Sequence, residues 1–226
     1  MYKYKWLCSS VLLLSVLISG CKSTPQHYQP EKPSALRTIS IDTNIEITDK
    51  PSFRGNKQQV ANLLTGPVIG WAVAKAIDDE GRLKLFMQTN NIDLQKIVHD
   101  EFVAQFADAS LPVSVVPTGA QADMHIRIDS YGLYATKQLL GNAMYPTMDI
   151  DVRMTRPDGV EIWDEGDNVS DPKDGQVDPH TFDEYLAQPK VLEDQFRQLS
   201  HIIVAKLVET LKQDHADGDI DMARKK

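Results

Sequence analysis

Apolar positions along this chain repeat with two different periods. Ile39, Ile41, Ile45 and Ile47 share one phase of a two-residue alternation, with Thr43 in the gap and Ser40, Asp42, Asn44 and Glu46 on the other phase. This spacing predicts a half-buried strand that ends at Pro51 and Gly55. Residues 113–116 read as a short strand closed by Pro117 and Gly119. Met124, Ile126 and Ile128 alternate with His125, Arg127 and Asp129, and lead through Tyr131 and Gly132 to Leu133. Met148, Ile150, Val152 and Met154 alternate with Asp149, Asp151, Arg153 and Thr155. A Pro157-Asp158-Gly159 turn then returns the chain through Val160, Ile162 and Trp163, which predicts a hairpin. The period lengthens to that of a helix twice. Leu94, Ile97, Val98, Phe102, Phe106 and Ala109 form one stripe, capped by Asn90 or Asn91 and stopped by Pro112. Leu192, Phe196, Leu199, Ile203, Leu207 and Leu211 form the other, with Pro189 in its first turn. Thr181 and Glu184 have capping-box spacing for a short helix between them, through Leu186.

Residues 60–77 follow neither pattern cleanly. Gly66, Gly70 and Ala74 recur every four residues beside Trp71, which puts small residues on one face where another backbone can approach closely. Asn62, Thr65, Pro67 and Lys75 interrupt the run too often for a membrane-spanning helix. A buried or subunit-contacting helix is the favoured expectation, and contact with a membrane the other. A short helical stretch around Leu83 and Gln88 follows. Residues 164–179 read as a polar loop, and residues 214–226 as a charged, mobile tail. The order predicts an α+β fold. A mostly antiparallel sheet of about five strands would carry two long helices on one face, with a helical insertion (residues 57–89) after the first strand. One domain spans residues 36–213.

The first twenty residues stand apart. Lys3 and Lys5 precede an apolar run from Trp6 to Ile18, which closes in Ile18-Ser19-Gly20-Cys21. This resembles the lipobox of a bacterial lipoprotein signal peptide. The run is well short of the ~20 apolar residues that a spanning helix needs. The resemblance implies a signal peptide over residues 1–20 and a diacylglyceryl group on the Cys21 thiol. Cys21 then becomes the mature amino terminus, anchored in the membrane by its acyl chains. Lys22 occupies the place where aspartate retains Gram-negative lipoproteins at the inner membrane, so outer-membrane sorting with a periplasm-facing body is implied. Residues 21–35 carry Pro25, Pro30 and Pro33 among polar residues and read as a flexible tether.

Composition narrows the chemistry. Cys8 and Cys21 are the only cysteines, so the mature body has no thiol for a disulfide, a zinc thiolate or a nucleophile. Removing Lys3 and Lys5 takes the formal charge from -8 to -10, which argues against nucleic acid as a partner. His99, His125, His180, His201 and His215 show no metal-ligand spacing, and no cofactor motif is present. Asp149 and Asp151 share a strand face, and acidic residues gather at Asp164, Glu165, Asp167, Asp171, Asp174 and Asp178. Solvated surface explains both better than acid–base catalysis or calcium. Tyr131 and Trp163 are expected at the sheet edge. A hydrolase would need a histidine gathered with a carboxylate or hydroxyl in a concave site.

Two stretches carry a further resemblance. Ala122-Asp123-Met124-His125-Ile126-Arg127-Ile128 leads to Tyr131-Gly132, and a strand with an Asp158-Gly159 turn returns to Trp163. This is similar to the periplasmic domain of curli-secretion-channel lipoproteins, to Pel-polysaccharide secretion lipoproteins and to the amino-terminal domain of TolB. The resemblance implies a non-enzymatic α/β domain that self-associates or docks on another envelope protein. Residues 57–89 depart from that pattern, and the paired strands of a channel barrel are not found. The alternative is an envelope lipoprotein that binds a small ligand or lipid, with the apolar insertion as a wall of its pocket.

Overall fold

The computed structural model describes residues 37–49, 51–54, 79–108, 111, 113–135 and 143–224. Cys21, Lys22, Gly66, Gly70, Trp71 and Ala74 lie outside the described residues, as do the expected signal peptide and tether. Among the described residues, no helix is long and apolar enough to cross a membrane.

The spine of the sheet is β5 (Ala122–Ala135), paired antiparallel with β6 (Ala143–Thr155), which pairs antiparallel with β7 (Glu161–Val169). Along the other edge of β5 run β1 (Thr38–Ile41), β2 (Glu46–Ile47) and β3 (Ser52–Arg54), all parallel to it. They behave as one strand broken twice. The first break is an Asx turn in which the Asn44 amide donates to Asp42 Oδ1 at 2.8 Å. β4 (Ser114–Val115) adds to β1, also in parallel. The two-residue β8 (His180–Thr181) extends the ladder on β6. The sheet is therefore mixed, which corrects the mostly antiparallel expectation. Alternation marks which segments are strands and which face is buried, but it carries no information about strand direction.

Among the described residues, two helices precede β4. α1 (Asp79–Thr89) ends in a Schellman arrangement, with Ile92 N donating to Met87 O at 2.9 Å and Asn91 N to Gln88 O at 3.3 Å. Asn91 takes the left-handed conformation this requires, with φ 57°. It therefore closes α1 instead of capping α2 (Leu94–Asp108). Asp93 is that cap, and its carboxylate accepts from the Lys96 amide at 3.0 Å. After β7 come α3 (Pro172–Gly175), α4 (Phe182–Ala187) and α5 (Pro189–Arg224). α5 runs on through Arg224, so the helix extends across much of the expected tail.

One face of the sheet is covered by α2 and α5. The described members of both predicted stripes are buried, including Phe102, Phe196, Leu199 and Ile203, and Ala109 lies outside the described residues. They meet Ile39, Met124, Ile126, Ile128, Ile150, Val152 and Met154 in one core. Tyr131 and Trp163 both belong to that core at 3% and 2% exposure; Trp163 lies on the terminal strand β7, whereas Tyr131 lies on the central β5 and not at the sheet edge. Trp163 Nε1 donates to Asp214 Oδ2 at 3.2 Å, which ties α5 to β7. Asp164, Glu165 and Asp167 are strand residues of β7, correcting the loop expected there. Their charges hide an alternation whose inward members are Trp163, Glu165, Asp167 and Val169.

Candidate functional site

The opposite sheet face carries the polar members of each alternation. Ser40 projects from β1 and Asp42 from the residue just after it, Asp123, His125 and Arg127 from β5, and Asp149, Asp151, Arg153 and Thr155 from β6. The core-facing neighbours of all of these are buried. Period-two geometry alone places them together, because every apolar neighbour faces the helices.

At the centre sits a cluster built on a β-bulge. The β5–β6 register shifts between Ile128 and Ser130, so Asp129 is the extra residue. Arg127 reaches both neighbouring carboxylates, with Nε 2.5 Å from Asp129 Oδ1 and Nη2 2.8 Å from Asp151 Oδ2. Burial, a hydrogen bond with Asp151 and the charge of Asp151 push the Asp129 carboxyl up to about 6, against the pull of Arg127. Asp151 moves the other way. Burial opposes its ionisation, yet hydrogen bonds from Asp129 and Arg127 hold it below the usual carboxylate range. The pair thus favours a proton on Asp129 donated to an ionised Asp151. Asp149 is raised by burial and by the charges of Asp151 and Asp167. Gly166 on β7 leaves room beside this cluster, since a Cβ there would meet the Asp151 carboxylate.

A second group joins three strands. His125 Nε2 lies 3.0 Å from Thr155 Oγ1, and its Nδ1 lies 3.5 Å from Asp42 Oδ2. Beside it, Ser40 Oγ donates to Asp123 Oδ1. Carboxylate, imidazole and hydroxyl in a row is the order of an acyl-transfer triad. Here the acid–imidazole separation is too long for a hydrogen bond. His125 is also 50% exposed on the sheet face. It serves as a polar rung across β1, β5 and β6. No group of three His, Cys, Asp or Glu suited to a metal gathers among the described residues.

Sequence reasoning placed Asp149 and Asp151 on one face, and the structure agrees. It missed Asp129, Arg127 and the His125 row as groups, because the bulge and the β1–β5 register bring them together. Asp129 follows the strict alternation in sequence, and nothing there signals the extra residue.

No family model matches the chain, and no curated protein matches it. Among solved structures, a Xanthomonas campestris protein described under the family model DUF330 is similar at 13% identity and a TM-score of 0.43. The match covers 83% of this chain and 92% of that one. A PelC dodecamer from Paraburkholderia phytofirmans is similar at 8% identity and a TM-score of 0.39, over 81% and 92% of the two chains. A lipoprotein from Neisseria meningitidis is similar at 13% identity and a TM-score of 0.24, over 59% and 81%. At these identities and scores, the likenesses fix neither a family nor an activity.

Proposed function

We propose that this chain is a lipid-anchored, periplasm-facing component of an outer-membrane assembly, working by association with itself or another envelope protein and not by catalysis. The observation that carries the reading is the amino-terminal run from Lys3 and Lys5 through the apolar stretch to Ile18-Ser19-Gly20-Cys21. Cys21 takes the acyl chains, and Lys22 leaves the chain free to be sorted outward. The body supports the reading in a second way. A thiol-free domain with one face sealed by helices and the other left polar offers a surface for partners. Gly66, Gly70, Trp71 and Ala74 are proposed as a subunit or membrane contact on the strength of their spacing.

Labelled palmitate should enter the wild-type chain and not Cys21→Ser, and wild type should sediment with outer membranes. Lys22→Asp should move the chain to inner-membrane fractions while leaving the label in place. Equal labelling of Cys21→Ser would remove the anchor from this account. Light scattering and in-cell crosslinking then test association. A strict monomer with no crosslinked neighbour would overturn the assembly role.

A further inference from the structure

We propose that the outer edge of β7 is a docking site for an extended, basic segment of another envelope protein, added to the sheet as a further strand. β7 ends the strand order β4-β1-β5-β6-β7, so its ladder with β6 uses one edge only. Among the described residues, its main chain makes no other hydrogen bond except Gly166 N to Glu165 Oε1 at 3.4 Å. The strand is nine residues long, whereas β4 at the other end of the order has two. Natural sheets keep free edges short or guard them with charge, because unpaired N–H and C=O groups are a template for another strand.

The guard here has a single sign. Glu161 is held by Arg153 at 3.2 Å and Asp167 by Lys206 at 3.1 Å. Asp164 and Glu165 have no ion pair among the described residues, and Asp164 is exposed. They sit at successive positions, so they project to opposite faces of the strand. A second β7 laid alongside would set these carboxylates against their own copies, which is unfavourable. An anionic bilayer surface is repelled for the same reason. A strand bearing lysine or arginine on both faces meets the free peptide groups and the unpaired carboxylates together. Main-chain bonds then give affinity and the charges give selectivity. This rests on the assembly reading only for the presence of a partner, whose chemistry it names.

The test uses the full mature chain in detergent micelles, with a labelled Lys–Val peptide of about ten residues as the probe, built on a Lys-Lys-Val-Val repeat so that lysine stands on both faces. Hydrogen exchange should slow across residues 161–169 when the peptide binds. Asp164→Lys with Glu165→Lys should weaken binding about tenfold or more, while exchange in β5 and β6 stays as in wild type. A Glu–Val peptide and a Lys–Val peptide with alternate N-methylated amides should both fail to bind. Equal binding of the N-methylated peptide would reduce the effect to charge alone and overturn the proposal. Protection elsewhere on the sheet, or none, would overturn it too. If the chain still crosslinks into an envelope complex in that case, the assembly role survives. If β7 is protected but no complex forms in cells, the assembly role alone is lost.

Discussion

Among the described carboxylates, Asp129 is the one that its surroundings alter most. With a folded value of about 6, its carboxyl holds a proton more tightly than an unfolded aspartate does. The stability this contributes is fully present below about pH 4, the unfolded aspartate value, and is lost as the pH rises through the folded one. Asp149 is raised as well and adds to the same slope, while Asp151 is lowered, so its contribution changes only below about pH 4, outside this window. Asp129→Asn should therefore flatten stability between about pH 4 and 6, read as urea midpoints across that window. A profile as steep as wild type would place the titrating group elsewhere. Two glycines separate by the same kind of local reasoning. A Cβ on Gly132 would fall on the main-chain carbonyl of Ser52, which cannot move without breaking the β3–β5 ladder. On Gly166 it meets only the end of the Asp151 side chain, which can rotate away. Gly132→Ala should cost about 1–3 kcal/mol or more and Gly166→Ala distinctly less, as measured by denaturant unfolding.

α4 has six residues and depends on its ends. Thr181 accepts from the Glu184 amide while the Glu184 carboxylate accepts from the Thr181 amide at 2.7 Å, completing the box that the sequence spacing predicted. Thr181→Ala should cost about 1 kcal/mol. The helix exists to deliver Tyr185. Its hydroxyl is buried within reach of Gln195 Oε1 at 2.7 Å and Met144 O at 3.1 Å, joining α4 to α5 and β6. Tyr185→Phe leaves those acceptors without their donor and should cost about 1–3 kcal/mol. Near-equal unfolding midpoints for wild type and this variant would show that the network adds nothing. The capping box was legible because both partners lie within one helical turn. The end of α1 was not. Asn90 and Asn91 fit the start of a helix as well as its end, and only the left-handed turn at Asn91 decides between them. The same limit hid β7, where Asp164, Glu165 and Asp167 look like a loop until β6 pairs with them.

Across the whole molecule, the ends of β5 give the body a direction. Ile39 of β1 pairs with Ala122 at one end, while β3 leaves beside Tyr134 at the other. β5 has 14 residues. At ~3.3 Å per residue, the two ends are about 45 Å apart. On the proposed anchoring at Cys21, a fluorophore at Thr118→Cys should be quenched by spin-labelled lipid more strongly than one at Tyr134→Cys. The reverse order would mean that the body folds back onto the bilayer. By itself, the sequence determined the inward faces of β1, β5 and β6 and of the two helices that cover the sheet. These follow from local periodicity and short-range chemistry. Tertiary structure decided strand direction, the division of the first strand into three, the bulge at Asp129 and the pairing that leaves β7 on the edge. Each depends on which distant segment lies alongside. Two-residue alternation reads the same for parallel and antiparallel neighbours.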